Sequence, residues 1–386
     1  MSQRYHKMKD FSNELIKIIR NKVKDSGPIT FKDFMEMALY HEKYGYYSGS
    51  YFPIGKKGDF ITSPHTHCLY GALHAKQIEE FWEILGRTPF TIVEMGAGAG
   101  YLAKDILSYL SNREIFNLIN YIIVEHKSET ASYQRELLKP FINKISWVSK
   151  LSDLDSVKGC IISNELLDAF PVHLIQKEAS GFKEICLDFK EDGSLIEMFA
   201  DLSSPKLVEY AKALPLDLPD GYHTEANLGI MKWISELAGI ISEGFVVTID
   251  YGHTRKEYFH PGRNRGTLLA YMNHSVNEEL YERVGEQDLT AHVNFSDLHR
   301  WGKEVGFSTL GYAPQWAFLA GLDFEETFLE LSDGKFDPFS PELAAVKMLL
   351  LPQGMGESHK VLVQGKGIPS NLVLKGFSLK NIMKRL

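Results

Sequence analysis

From Phe90 onward, short runs rich in β-branched residues alternate with stretches of helical apolar spacing, and no other feature constrains the fold of this chain as strongly. FTIVEMG, NYIIVEH, KISWVS and GCIISNE read as four strands, with helices around YLAKDILSYL and ETASYQRELLKPF. Strands joined through helices are parallel neighbours, so the alternation predicts a parallel sheet with helices on both faces. EGFVVTIDYG, GFSTLGYAPQ and KVLVQGKG add three further strands, and NLGIMKWISELAGII and FSDLHRWGKEVGF two further helices. Residues 171–224 interrupt the pattern with antiparallel hairpins expected to turn at Ser180-Gly181 and Asp192-Gly193.

Three helices precede the first strong strand. Leu15, Ile16, Ile18, Ile19 and Val23 suit one face of an amphipathic helix, Ser26-Gly27-Pro28 breaks it, and Thr30 can cap a second helix, FKDFMEMALYHEKYG. A Gly-, Ser- and aromatic-rich loop then leads into a helix around LYGALHAKQIEEFWEILG. The expected architecture is α/β. A doubly wound domain occupies 86–386, a helical cap with the GDFITSP loop occupies 1–85, and a β-hairpin subdomain is inserted at 171–224.

Composition excludes several function classes. With 386 residues, 42 Lys+Arg against 50 Asp+Glu and a net charge of −8, the chain has no broad basic surface, so no nucleic-acid partner is expected. Cys68, Cys160 and Cys186 are too dispersed for a zinc site, and no metal is expected. No stretch approaches the roughly 18 apolar residues of a membrane span, so membrane insertion is not expected either. The basic, Ser-containing N-terminus faintly resembles a mitochondrial presequence, but Asp10, Glu14 and Asp25 argue against one, and a cytoplasmic protein is the expectation.

FTIVEMGAGAGYLAKDIL carries the strongest chemical signal: a strand runs through Glu94 into Gly96, Gly98 and Gly100 and then into a helix. Glycines allow a sharp turn and close backbone approach to a ligand, while the helix start offers amide donors. A dinucleotide site would want a small residue at the third glycine position, where Tyr101 stands. The pattern E-x-G-x-G-x-G instead resembles motif I of class I S-adenosylmethionine methyltransferases. A tight turn without a ligand is the bland alternative.

Glu125 ends the second strand 25 residues beyond Gly100, where a doubly wound fold places a carboxylate beside a ribose. A solvated strand-end charge is its alternative. In SNELLDAFP, Asn164, Glu165 and Asp168 can hold a cationic acceptor, since carboxylates pair with guanidinium in bidentate geometry; helix capping explains the same residues. GDFITSP offers Gly58, Asp59, Thr62 and Ser63 as hydrogen-bonding loop residues or a cap. His253 in IDYGH and His292 in DLTAHVNF lie near acidic residues and can carry protons, or serve packing.

Taken together and in order, GDFITSPHT, VEMGAGAGYLAKDIL, SNELLDAFPV, IDYGH, GTLLAY, DLTAHVNF, PQWAFL and LLLPQGMGESHKVL resemble the MidA-like family, whose mitochondrial member is a complex I assembly factor and protein-arginine methyltransferase. The likeness spans about Pro28 to Val363. It implies a class I methyltransferase fold, S-adenosyl-L-methionine as cofactor with S-adenosyl-L-homocysteine as product, and GDFITSP as part of the cofactor and substrate cleft. Five positions depart from the family pattern. The glycine loop carries Met95, Ala97 and Ala99 where E-L-G-P-G-R-G is usual, Leu269 replaces an arginine, and His65 stands where an acid is common.

The expected function is therefore methyl transfer to arginine in a protein acceptor, a respiratory-complex subunit being one candidate. Glu165, Asp168, Asn164 and His292 would serve the acceptor. Gly58, Asp59, Thr62, Ser63, Glu94, Gly96, Gly98, Gly100 and Glu125 would serve the cofactor. A small-molecule methyltransferase and a non-catalytic assembly factor that binds S-adenosylmethionine remain alternatives at this point.

Overall fold

Leu15, Ile19 and Val23 recur at four-residue spacing and are buried, so α1 (Ser2–Ser26) packs through one apolar stripe. The structure, a computed structural model, describes residues 2–48, 63–272, 275–277, 279–332, 334 and 341–386, with side chains from residue 12 onward. After Gly27 and Pro28 the chain forms β1 (Ile29–Thr30), and Thr30 caps α2 (Phe31–Tyr40) by accepting a hydrogen bond from the Asp33 amide at 3.1 Å.

The first compact unit comprises Met1–Pro53, Leu167–Lys232 and Arg255–Val293. Its main sheet is antiparallel. β1 pairs with β7 (Gly181–Phe189), which also pairs with β6 (His173–Glu178) and β8 (Leu195–Ala200), and β9 (His223–Ala226) lies beside β6. Glu178 faces Gly181 across the first hairpin, so its turn is Ala179-Ser180, one residue before the expected position. α7 (Pro205–Lys212) starts at Ser204, whose hydroxyl accepts from the Leu207 amide at 3.2 Å. A smaller sheet joins β11 (Leu269–Met272) to β12 (Ser275–Asn277) and β13 (Asp288–Thr290), after the short α9 (Arg255–Tyr258).

The second unit comprises Ile54–Leu166, Trp233–Thr254 and Asn294–Leu386. After α3 (Ser63–Thr66) and α4 (Leu69–Ile84), the β-branched runs form β2 (Phe90–Met95), β3 (Ile119–Val124), β4 (Ile145–Val148) and β5 (Val157–Asn164). α5 (Tyr101–Leu110) and α6 (Ser128–Leu137) are the crossovers between the earlier strands. α8 (Leu228–Ile240) then leads into β10 (Ile241–His253), and β14 (Val293–Asn294) into α10 (Phe295–Glu304) and β15 (Ser308–Pro314). α11 (Gln315–Ala320), α12 (Phe324–Leu331), α13 (Pro341–Leu350) and α14 (Met355–Ser358) precede the last strand, β16 (His359–Lys366).

The main path of the large sheet runs β15-β16-β10-β5-β2-β3-β4. Strands β10, β5, β2, β3 and β4 are parallel, whereas β16 is antiparallel to both its neighbours. The chain leaves β2 toward β3 and β4, then returns on the other side of β2 as β5. Strand order therefore reverses between β2 and β5, and in open α/β sheets ligands bind at the carboxyl ends of such a pair. Phe81 stacks on Phe245 at 3.9 Å between centroids, anchoring α4 to the sheet. No helix among the described residues is long and apolar enough to cross a membrane.

Candidate cofactor site

Three left-handed glycines build the turn after β2. Gly96, Gly98 and Gly100 have φ of 70°, 53° and 87°, a region where a side chain is strained. A Cβ on Gly96 would also lie 3.0 Å from Leu166 Cδ1, so the backbone stays bare opposite the end of β5. Gly100 is the N-cap of α5, and its amide donates to the Ala97 carbonyl at 2.8 Å.

Glu94 is an interior acid. It is 3% exposed, accepts the Tyr121 hydroxyl at 2.6 Å, and burial raises its pKa to about 7 against the lowering effect of that bond. Glu125 follows β3 with its side chain 12% exposed. One of its oxygens accepts the Lys127 amide at 2.9 Å and the other lies 3.5 Å from Gln134 Nε2. The carboxylate is thus oriented while keeping acceptor capacity on both oxygens.

At the end of β5, Asn164 and Glu165 enter a second polar cluster. The segment 165–170 forms bends and turns with no helix, so the capping explanation of SNELLDAFP falls away. Asn164 accepts the Tyr70 hydroxyl at 2.6 Å and donates to Glu165 at 3.1 Å. Burial, reinforced by the Glu165 charge, keeps Tyr70 protonated as a donor. Glu165 is left-handed, with φ 51°; its carboxylate also receives the Ser63 amide at 3.4 Å and lies 3.5 Å from His359. Ser63 donates its hydroxyl to Gln315 at 3.2 Å, and Asp250 accepts the Leu166 amide at 3.2 Å. Gly58, Asp59 and Thr62 lie outside the described residues.

Asp168 and His292 belong to the other unit. Asp168 is buried and its carbonyl accepts the Ala291 amide at 2.9 Å, which brings it beside the DLTAHVNF segment. His292 is half-buried, with its amide donating to Thr267 Oγ1 at 3.0 Å. In the same segment Asp288 accepts the Tyr47 hydroxyl at 2.8 Å, and Tyr47 stacks on Tyr40 at 5.5 Å. Burial, together with the charges of Asp288 and Asp168, keeps both tyrosines protonated.

Sequence reasoning missed Tyr70, Gln134, Asp250, Gln315 and His359. Asp250 and His359 sit inside the singled-out segments IDYGH and LLLPQGMGESHKVL, but attention to histidines beside acids selected His253. Gln134 shows itself only as a polar residue on the buried face of α6, with Thr130 and Ala131.

A family described as S-adenosyl-L-methionine-dependent methyltransferase matches residues 73–313. The chain is 28% identical to mitochondrial protein arginine methyltransferase NDUFAF7 of Mus musculus over 90% of its own length and 84% of that protein. It is also 28% identical to the Homo sapiens protein of the same name, covering 89% and 81% respectively. A Burkholderia thailandensis crystal structure bound to S-adenosyl-homocysteine superimposes with a TM-score of 0.90 at 29% identity, covering 98% of each chain. The mitochondrial relatives overturn the cytoplasmic expectation. That expectation rested on acidic residues at the N-terminus, and Asp10, Glu14 and Asp25 lie within α1, an amphipathic helix that packs through Leu15, Ile19 and Val23.

Proposed function

The chain belongs to the S-adenosyl-L-methionine-dependent methyltransferase family, and from that premise we propose that its acceptor is an arginine side chain of a protein. The residues at the carboxyl ends of β2 and β3 suit the cofactor: bare glycine backbone at one end, and a carboxylate with open acceptor capacity for ribose hydroxyls at the other. When bound, S-adenosylmethionine supplies an electrophilic methyl group on a sulfonium. The chain holds it through Gly96, Gly98, Gly100 and Glu125, with Glu94 bracing β2 from inside. Gly58, Asp59, Thr62 and Ser63 complete the proposed cofactor set.

The observation that carries the acceptor assignment is Glu165, a carboxylate 11% exposed at the carboxyl end of β5 and kept in a left-handed conformation. Carboxylates hold a guanidinium through paired, charge-assisted hydrogen bonds, which fixes the direction of the attacking nitrogen. Displacement at a methyl carbon depends above all on that alignment. Asn164 orients Glu165, Asp168 is proposed as the second carboxylate, and His292 as a proton carrier. The relatives' names support an arginine acceptor.

A respiratory-complex subunit is the acceptor to try first, because the family resemblance includes a complex I assembly factor. Incubation with methyl-labelled S-adenosylmethionine in a lysate lacking the protein tests the proposal. Label released from the protein fraction as methylarginine on hydrolysis is the expected result; label confined to small molecules would replace the arginine reading with that of a small-molecule methyltransferase.

A further inference from the structure

Gln134 is fully buried on α6 and touches three separate parts of the second unit. Its Oε1 accepts the indole N–H of Trp147, on β4, at 2.8 Å. Its Nε2 donates to the Gly98 carbonyl at 2.9 Å and lies 3.5 Å from Glu125 Oε2. An indole nitrogen only donates and a carbonyl only accepts, so these two partners permit one orientation of the amide. Its second amide hydrogen is then left for Glu125. The other Glu125 oxygen is held by the Lys127 amide at 2.9 Å. One side chain therefore ties the middle of the glycine turn to the carboxylate after β3.

We propose that Gln134, locked by Trp147, is the positioning residue that holds the glycine turn and Glu125 at the separation the bound cofactor requires. The proposal rests on the assignment of Glu125 to the ribose. A leucine at this position would keep an apolar stem beside Gly100 but leave Gly98 without its donor and Glu125 without its second constraint. A glutamate would put a further carboxylate against two acceptors. Trp147→Phe would leave the amide in place but free to turn, and so would produce a smaller effect of the same kind.

The test is calorimetric titration of S-adenosylhomocysteine into the full chain, with melting measured on every variant. Gln134→Leu is expected to weaken binding at least tenfold, the scale of losing a hydrogen bond to a charged group together with one to a carbonyl. Trp147→Phe should weaken it about threefold, a fraction of the full loss. Because Gln134 acts partly through Glu125, the Gln134→Leu/Glu125→Ala pair should bind more tightly than the product of the single effects predicts. Parent-like affinity in Gln134→Leu overturns the proposal, as does strict additivity of the two substitutions. If Gln134→Leu melts early but its folded fraction binds normally, Gln134 is structural only and the proposal fails. Normal binding by Glu125→Ala would instead remove the ribose assignment, an outcome distinguishable from failure at Gln134.

Discussion

Glu165 Oε1 lies 3.5 Å from His359 Nε2, and Glu165 holds this position from a left-handed backbone with φ 51°. His359 is fully buried and begins β16, the strand antiparallel to both its neighbours, so the last strand of the sheet supplies a partner to the end of β5. Non-glycine residues in this conformation persist where their surroundings over-determine them, commonly at functional sites. Here those surroundings are Asn164, the Ser63 amide and His359.

Glu165→Gln keeps the shape of the cluster but removes the charge proposed to align a guanidinium. Turnover on the acceptor should fall about a hundredfold while S-adenosylhomocysteine affinity stays within about twofold of the parent. Asp168→Asn, measured separately, should show the same split between turnover and cofactor affinity. Single-turnover rates equal to the parent's would withdraw the carboxylate concerned from the acceptor assignment.

Burial lifts the pKa of Glu94 from its ordinary value to about 7, so the fold favours its protonated form. Between the unfolded and folded pKa values the native state binds more protons than the unfolded state, and stability must fall as pH rises. This contribution is fully present below about pH 4.5 and lost by about pH 7, a change of roughly 3 kcal/mol. Glu94→Gln, still able to accept the Tyr121 hydroxyl, should gain on the parent as pH rises from 5 to 7.5 in urea denaturation. A stability difference independent of pH would show that Glu94 does not titrate in this range.

The left-handed glycine turn should make cofactor binding depend on bare backbone. S-adenosylhomocysteine at a hundredfold excess over its Kd should stabilise the protein by about 2.7 kcal/mol and raise its Tm, and NAD should not. Gly98→Val should abolish the shift, since a branched residue is strained at φ 53°. A shift from NAD alone would contradict the placement of the cofactor at this turn.

The parallel strands were legible because Val- and Ile-rich runs separated by helical spacing leave few other folds, and Thr30 declared its cap through its position before FKDF. Less legible was the attachment of β1, whose two residues pair with Leu187 and Cys186 across a gap of more than 150 residues that no local period encodes. Strand direction is equally silent in a period-2 pattern: KVLVQGKG announces a strand, but not that it inserts antiparallel between β10 and β15. The register of β16 brings His359 to Glu165 and the packing of α6 brings Gln134 to Gly98, so motif spacing reveals the carboxylates and glycines as candidates but not the residues that contact them.

Strain and charge at Glu165 can be separated by size. A left-handed conformation costs an L-residue roughly 1–2 kcal/mol, and glycine escapes this cost at the price of a more flexible unfolded chain. Glu165→Ala loses the carboxylate and keeps the strain, whereas Glu165→Gly loses both. Both variants should lack turnover, while Glu165→Gly should be more stable than Glu165→Ala by about 1 kcal/mol in urea denaturation. Equal stability, or greater stability of the alanine variant, would mean that the backbone relaxes once the carboxylate is gone. The contacts of the side chain with Asn164, Ser63 and His359 would then be the cause of the left-handed conformation, not a consequence of it.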